Sequence, residues 1–176
     1  MNRKLKLDEL KRDSLEVFKS KSKNPIIVVL DNIRSLNNVG SFFRTGDAFN
    51  IEKIYLCGIT AQPPNREIRK TALGATESVD WEYVEDTVIV VNLLKEKGYK
   101  TCAIEQAVET VQLQDLNVPE NGIALIFGNE VDGVQDKVIA VCDEVVEIPQ
   151  FGTKHSLNVS VCGGAVLWEV TRKMVL

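Results

Sequence analysis

The chain has 176 residues, of which 44% are apolar and 26% are charged, and its formal net charge is −4. This length and composition are typical of one soluble globular domain and leave little room for two. No apolar run approaches the roughly 18 residues needed to span a bilayer, and the first residues lack the apolar core of a signal peptide. We therefore expect a cytoplasmic protein with no membrane partner.

The first 24 residues form a basic segment on an otherwise acidic chain, with eight Lys or Arg against four Asp or Glu. Apolar residues at helical spacing predict an amphipathic helix over 7–18. Pro25 ends this segment, because the residue before a proline avoids the helical conformation. A basic helical arm over 1–24 could bind an RNA backbone. The alternative, which composition alone favours, is a solvated helix face with internal ion pairs.

Strand-like and helix-like patterns alternate over the remaining residues, 25–176, which we expect to form a single domain. The predicted strands are 25–31, 54–58, 79–84, 100–104, 123–128 and 145–149. The predicted helices are 38–50, 65–74, 86–97, 134–142 and 158–173. This alternation predicts an α/β fold with a mostly parallel six-stranded sheet and helices on both faces. Ligands bind beyond the carboxyl ends of such strands, so polar residues directly after strands are candidate site residues.

Two polar clusters follow predicted strands in this way. SLNNVGSFFRTGDAF, residues 35–49, contains Asn38 and Arg44; taken singly, these would be a helix cap and an exposed helical charge. IFGNEVDGV, residues 126–134, places Glu130 between two glycines that permit close backbone approach. The second cluster is neither the dinucleotide-binding glycine fingerprint nor the P-loop, so an ordinary nucleotide site is disfavoured.

The third cluster, FGTKHSLNVS over 151–160, contains the only histidine, His155. Ser156 and Asn158 are candidate caps for the last helix. A Ser–His hydrolase is disfavoured, because the two residues are adjacent in sequence and no Gly-x-Ser-x-Gly elbow is present. We expect His155 to be a bystander.

The four cysteines, at 57, 102, 142 and 162, are too widely spread for a zinc site. Free cysteines are usually buried in cytosolic proteins. We therefore expect buried thiols and no metal.

Taken in order, the three clusters resemble the motifs of the SpoU (TrmH-like) family of RNA ribose 2′-O-methyltransferases, in the SPOUT superfamily. The first motif is resembled by the stretch Asn38-x-Gly40-x-x-x-Arg44 of this chain. The second is resembled by Phe127-Gly128-Asn129-Glu130-x-x-Gly133. The third is resembled by Ile148-Pro149-x-x-Gly152-x-x-x-Ser156-Leu157-Asn158-Val159-Ser160. The resemblance covers about 25–173. It departs from the family pattern at Gly46-Asp47 and at Gly163-Gly164, where small apolar residues are more usual.

The resemblance implies a fold in which the C-terminal part of the sheet is tied into a deep trefoil knot. General rules would not predict such a fold, because knots are nearly absent from proteins. The knot loops would hold S-adenosylmethionine, and methyl transfer from its sulfonium needs no metal. The family works as a homodimer with each active site near the subunit interface. Gly163 and Gly164 would then allow the last helix to pack closely across that interface; the alternative is a close contact within the chain.

The resemblance also implies site residues. The catalytic set would be Arg44, Asn38, Glu130, Ser156 and Asn158, and the cofactor-binding set would be Ile104, Glu105, Gly128, Ile148 and Leu157. A guanidinium is normally always protonated, so we expect Arg44 to orient a phosphate and stabilise developing charge. Because the rest of the chain is acidic, RNA contact is expected at a local basic groove near Arg34, Arg44, Arg66, Arg69 and Lys70.

The leading hypothesis is therefore S-adenosylmethionine-dependent methylation of a ribose 2′-OH in tRNA or rRNA. One alternative is a catalytically inactive RNA-binding member of the same fold, and the other is a nucleotide-binding α/β enzyme of another kind. The presence of all five polar motif positions disfavours the first alternative. The missing glycine fingerprint disfavours the second. The target RNA and nucleotide are not identified by the sequence.

Overall fold

A computed structural model describes residues 2–10 and 12–176. Met1 and Lys11, which belong to the predicted arm, lie outside the described residues. The predicted helix over 7–18 is wrong, because the arm contains a 3-10 turn at Leu7–Leu10 and a short helix, α1, at Leu15–Ser20. The Ser14 side chain accepts a hydrogen bond from the Val17 N–H at 3.3 Å and so starts the helix at Leu15. The division at residue 24 and the arm's contact with RNA stay predictions.

Seven parallel strands form the sheet, in the order β3-β2-β1-β6-β4-β7-β5. They are β1 (Asn24–Asp31), β2 (Ile51–Cys57), β3 (Asp80–Val84), β4 (Lys100–Ile104), β5 (Val111–Gln112), β6 (Ile123–Phe127) and β7 (Glu144–Glu147). All six predicted strands are present. The six-strand count is wrong, because β5 has only two residues and is too short to leave an alternating pattern in the sequence.

Helices cover both faces of the sheet, as predicted. They are α2 (Leu36–Ala48), α3 (Arg66–Ala72), α4 (Ala75–Ser78), α5 (Thr87–Glu96), α6 (Asp136–Ile139) and α7 (Val159–Val175). Helices α2, α3, α4 and α7 pack on the face to which Val28 and Leu30 point, whereas α5 and α6 pack on the face of Ile27 and Val29. The helix predicted over 134–142 is reduced to the four residues of α6. No described helix is long and apolar enough to cross a membrane.

The two glycines of α7 face different surroundings. A Cβ atom on Gly163 would collide with the Phe42 ring of α2, so this glycine serves a close contact within the chain. Gly164 has open space beside it: apart from the neighbouring residues and backbone of α7 itself, no heavy atom of the described chain lies within 4 Å of a Cβ placed there. The intrachain alternative therefore explains Gly163, and Gly164 is left facing outward.

The sheet order brings four loops together at one edge. Strands β1, β6, β4 and β7 are consecutive neighbours in the sheet and parallel to one another. The loops that follow their carboxyl ends therefore open on the same side. All three polar clusters of the sequence lie in or directly after these loops.

Candidate functional site

A cavity of about 370 Å³ opens at this edge, between the loops that follow β4, β6 and β7. All five residues predicted to bind the cofactor line it, and so do three of the predicted catalytic residues. The eight are Ile104, Glu105, Gly128, Ile148, Leu157, Glu130, Ser156 and Asn158. Asn38 and Arg44 do not line this cavity.

The charge of the cavity lining is one-sided. Three glutamates, at 105, 130 and 147, line it together with apolar side chains such as Ile104, Ile148 and Leu157. The described lining contains no lysine or arginine. A cation is attracted to such a lining, whereas a polyphosphate is repelled. The cavity therefore suits a ligand that has an apolar part and a positive charge, and it does not suit a nucleoside triphosphate or a dinucleotide.

Glu130 attaches the loop after β6 to the start of α2. Its carboxylate accepts hydrogen bonds from the backbone N–H groups of Arg34 and Ser35 and from the Asn38 side-chain amide, each at 2.9 Å. Partial burial alone would raise the pKa of Glu130, but these hydrogen bonds outweigh burial and hold its pKa below the usual value. Because the pKa is lowered by folding, the ionised carboxylate stabilises the fold above the ordinary glutamate pKa. That contribution is lost only as the pH falls through the lowered pKa.

Asn38 connects Glu130 to the last helix. Its side-chain oxygen accepts a hydrogen bond from the Asn158 amide at 3.2 Å and lies 3.3 Å from the Ser160 hydroxyl. The Asn158 side-chain oxygen caps α7 by accepting from the N–H groups of Ser160 and Val161. Ser160 was not among the predicted site residues, although it is the last residue of the third motif. Glu130, Asn38 and Asn158 thus form one chain of hydrogen bonds beside the cavity.

Replacement of Asn158 tests this double role. Asn158→Ala is expected to lower the free energy of unfolding by about 1 kcal/mol, because it removes the cap of α7. Asn158→Asp keeps the capping oxygen and removes the amide that bonds Asn38, so we expect near-native stability with a disturbed site. Urea unfolding measures the first effect, and ligand affinity measures the second. Equal stability of the alanine variant and the native chain would show that the cap contributes nothing.

The loop after β6 is held in a tight turn. Asn129 and Gly133 exchange backbone hydrogen bonds at 2.9 and 3.0 Å, and the Asn129 side chain donates to the Asn32 carbonyl at 2.8 Å. Asn129, which lay within the second motif but was not a predicted site residue, therefore fixes this loop to the loop that follows β1. Gly128 packs directly against the backbone of Gly133 and Val134, leaving no room for a Cβ atom.

Glu105 supports the same loop from β4. One of its carboxylate oxygens accepts from the Val134 N–H at 3.0 Å, and the other accepts from the Gln106 N–H at 2.8 Å. Gly133 has a φ of +70°, and a Cβ atom there would collide with this carboxylate. Glu105 is therefore a support of the cavity wall as well as a lining residue.

Arg44 and Ser156 stand apart from the hydrogen-bonded chain. Arg44 is exposed on α2, and within the described residues its side chain has no hydrogen-bond or ion-pair partner. Ser156 is exposed at the cavity rim, likewise with no hydrogen bond to the described chain. The neighbouring His155 is exposed too, and only its backbone carbonyl is engaged, by the Gln106 side chain at 2.8 Å.

The cysteine thiols are free, as expected, but only two of them are fully buried. Cys57 and Cys102 are buried, whereas Cys142 and Cys162 are partly buried. Burial raises the pKa of Cys57, Cys102 and Cys142 to about 12 and that of Cys162 to about 11. At neutral pH they are therefore thiols rather than nucleophilic thiolates, including Cys162, which lines the cavity. The described residues contain no group of three or more His, Cys, Asp or Glu arranged to hold a metal ion.

Comparison with known proteins identifies relatives along nearly the whole chain. The family model described as the SpoU rRNA Methylase family matches residues 25–168. A 23S rRNA (guanosine-2′-O-)-methyltransferase, RlmB, from Neisseria meningitidis is 34% identical over 161 residues. The match covers 92% of this chain, which spans only 64% of that relative's length.

Solved structures share the fold. A TrmH/SpoU tRNA modifying enzyme from A. aeolicus has a TM-score of 0.79 and 27% identity, over 90% of this chain and 79% of the other. An AdoMet-bound rRNA methyltransferase from Sinorhizobium meliloti has a TM-score of 0.81 and 24% identity, over 88% and 59% of the two chains. Because the identity to the S. meliloti protein is only 24%, that similarity supports a shared fold and nothing further.

Proposed function

Because the chain belongs to the SpoU rRNA methylase family, we propose that it transfers a methyl group from S-adenosylmethionine to a ribose 2′-hydroxyl in tRNA or rRNA. The observation that carries this proposal is the acidic cavity next to the Glu130–Asn38–Asn158 chain of hydrogen bonds. The names of the relatives cover both an rRNA and a tRNA enzyme, so both substrates stay in the proposal. Since these RNAs function in the cytoplasm, we propose that location too.

The cavity fits S-adenosylmethionine in size, wall and charge. Its volume of about 370 Å³ lies within the range of about 300–1,000 Å³ that ligand sites have. Ile104, Ile148 and Leu157 offer an apolar wall for an adenine, and Gly128 exposes backbone at close range. The glutamates of the lining favour the positive sulfonium over a phosphate. When bound, the cofactor supplies an electrophilic methyl group on sulfur.

The chain's own residues would then position the ribose and its phosphate. A 2′-hydroxyl must lose its proton as it attacks the methyl carbon, and the electron pair of the breaking carbon–sulfur bond leaves with the sulfur. We assign Asn38 and Asn158 to orienting the ribose, with Glu130 holding Asn38 in place. The unpaired guanidinium of Arg44 would bind the adjacent RNA phosphate through its fork of N–H donors and stabilise charge that develops in the transition state.

The proposal is tested with purified protein. Calorimetry is expected to show S-adenosylmethionine binding, and labelled methyl groups should appear in tRNA or rRNA at the 2′ position. Cofactor binding without transfer to any RNA pool would favour the inactive RNA-binding alternative. Absence of cofactor binding would overturn the proposal. Mapping of 2′-O-methyl sites in cells that lack the gene would then identify the target nucleotide.

We propose a homodimer formed through α7. Val161 and Trp168 lie on the face of α7 that points away from the core, and they are 60% and 51% exposed. Gly164, with open space beside it, lies on the same face of the helix. Large exposed apolar side chains around a glycine are suited to close helix packing with a second copy. The start of α7 carries Asn158, so such a dimer would place each cavity close to the subunit interface.

Trp168→Lys is expected to raise the dimer dissociation constant by about 100-fold, because a buried interface tryptophan contributes roughly 2 kcal/mol or more. Light scattering coupled to size exclusion measures the change. Ile89→Lys is the matched control, since Ile89 is also exposed but lies on α5, on the opposite face of the sheet. A native-like dimer in the Trp168 variant would place the interface elsewhere.

We further propose that the C-terminal part of the chain forms the trefoil knot. After β4 the chain passes outside β7, pairs with it as β5, and returns to β6 beside β4. Helix α7, which follows β7, packs on this returning segment, where the Lys173 ammonium donates to the carbonyls of Leu113, Gln114 and Leu116. This segment encloses β7 and contacts α7, the helix that follows β7. Such a path is the one that a trefoil knot requires.

A further inference from the structure

The arginines of the chain divide into two groups by their partners. Arg3 and Arg172 form ion pairs with Glu9 and Glu169. Five others have no carboxylate oxygen within 4.0 Å among the described residues. Arg12 belongs to the N-terminal arm, and the remaining four lie in the β1–α2 loop, on α2 or on α3. They are Arg34, Arg44, Arg66 and Arg69, and we call them the arginine track.

Close packing of α2 on α3 brings the members of the track together. A Cβ atom on Gly40 would collide with the Ile68 carbonyl and the Thr71 side chain, so the two helices touch at their backbones. The Thr71 hydroxyl donates to the Asn37 carbonyl at 3.1 Å. Asn37 and Gly40 of α2 therefore both contact the turn of α3 that runs from Ile68 to Ala72. Arg44 lies one turn after Gly40 on the same helix, so it is close to this contact between α2 and α3.

Helix α3 presents its cations to solvent at that point. The Asn65 side chain caps the helix by accepting from the N–H groups of Glu67 and Ile68. Ile68 is buried against the core, whereas Arg66 and Arg69 are exposed and line a shallow depression with Lys70. Glu67 is already paired with Lys70 at 2.7 Å, so this carboxylate leaves the two arginines uncompensated.

The track begins at the candidate site. The Arg34 N–H donates to Glu130 at 2.9 Å, which places this residue at the edge of the cavity. Arg44 follows ten residues later, and the helical rise of 1.5 Å per residue places it about 12 Å along α2 from Leu36, the first residue of the helix. Like charges along such a path repel one another, and an anionic strand relieves that repulsion. Guanidinium groups match phosphate geometry through paired N–H donors.

We propose that the arginine track binds the phosphate backbone of the RNA strand that carries the target ribose and leads it from α3 along α2 to the cavity. This inference rests on the proposed function. A strand of RNA fits the track better than an acidic protein surface does, because it supplies regularly spaced phosphates and also the ribose needed where the track ends. Arg66 and Arg69 are then positioning residues for the substrate, remote from the reacting atoms.

The test removes the distal half of the track and leaves Arg34 and Arg44 in place. In Arg66→Gln/Arg69→Gln, the slope of log affinity for RNA against log salt concentration is expected to become less steep by about 0.7–0.9 for each lost phosphate contact. We expect the KM for RNA to rise about tenfold or more near 0.15 M salt, with kcat and S-adenosylmethionine affinity unchanged. The control is Lys97→Gln/Lys137→Gln, which removes the same charge near α5 and α6 on the opposite face, together with the exposed ion pair between Lys137 and Asp86.

The outcomes separate this inference from the proposed function. If the native protein methylates RNA and the track variant keeps the native salt slope and KM, the track is overturned while the function stands. If the control loses as much RNA affinity as the track variant, net charge rather than position is responsible, and the track is again overturned. If the track variant alone loses RNA affinity and salt dependence but the native protein transfers no methyl group, the track stands and the proposed activity fails.

Discussion

Arg44→Ala is expected to lower the rate of methyl transfer by about 10²–10³-fold, the loss typical of removing one preorganised donor from a site of developing charge. The affinity for S-adenosylmethionine should remain near the native value, because Arg44 does not line the cavity. Folding should be unaffected, since the exposed side chain has no hydrogen-bond or ion-pair partner within the described residues. Single-turnover transfer with saturating RNA measures the rate, and calorimetry measures cofactor affinity.

Two further variants make this result specific. Arg44→Lys keeps the positive charge but loses the bidentate fork, so we expect an intermediate rate. Arg69→Ala removes the same side chain one helix away and should raise the KM for RNA while leaving kcat in place. A parallel loss of cofactor affinity and rate in Arg44→Ala would show that Arg44 is a structural residue.

Gly128→Ala is expected to weaken S-adenosylmethionine binding by about 100-fold. The added methyl group has no space, because the backbone of Gly133 and Val134 occupies it. Backbone cannot move aside as a flexible side chain can, so the loop that carries Glu130 must shift, at a cost of roughly 1–3 kcal/mol. A factor of 100 corresponds to about 2.8 kcal/mol at 1.4 kcal/mol per tenfold.

Gly152→Ala is the matched control for this substitution. Gly152 lies in the exposed loop after β7, and apart from its two chain neighbours no residue of the described chain has a heavy atom within 4 Å of a Cβ placed there. Its cofactor affinity should stay within about twofold of the native value, since no contact is lost or forced. Circular dichroism distinguishes a local change in Gly128→Ala from general unfolding. Native-like cofactor affinity in a folded Gly128→Ala protein would contradict a cofactor site in this cavity.

The strands were predictable to the extent that burial leaves a pattern. The central strand β1 is buried through most of its length, and such a strand appears in sequence as a continuous apolar run. Strand β2 begins three residues before its prediction, because Glu52 and Lys53 in its first half hide the apolar pattern. Lys53 is stabilised there by Glu82 of the neighbouring strand β3 at 3.2 Å, a contact that no local pattern reveals.

The site residues could be identified as motif members, but their contacts could not be derived from the sequence. The Asn38–Glu130 bond joins residues 92 positions apart, and the Asn38–Asn158 bond joins residues 120 positions apart. These contacts exist because the sheet order places β6 beside β1 and β7 two strands further on, and strand order leaves no periodic signal. The length of helix α1 was mispredicted for a simpler reason, since one serine cap outweighed the apolar spacing before it.

The chain of hydrogen bonds through Asn158 has a consequence for the timing of assembly. Helix α2 emerges from the ribosome long before α7, yet the Asn38 oxygen finds its partners only when the start of α7 docks. Contacts between residues so distant in sequence form late and slowly, because the loop between them must close first. A nascent chain that lacks α7 can therefore build most of its sheet, whereas the cavity and its hydrogen bonds are completed only after α7 has been synthesised and has docked.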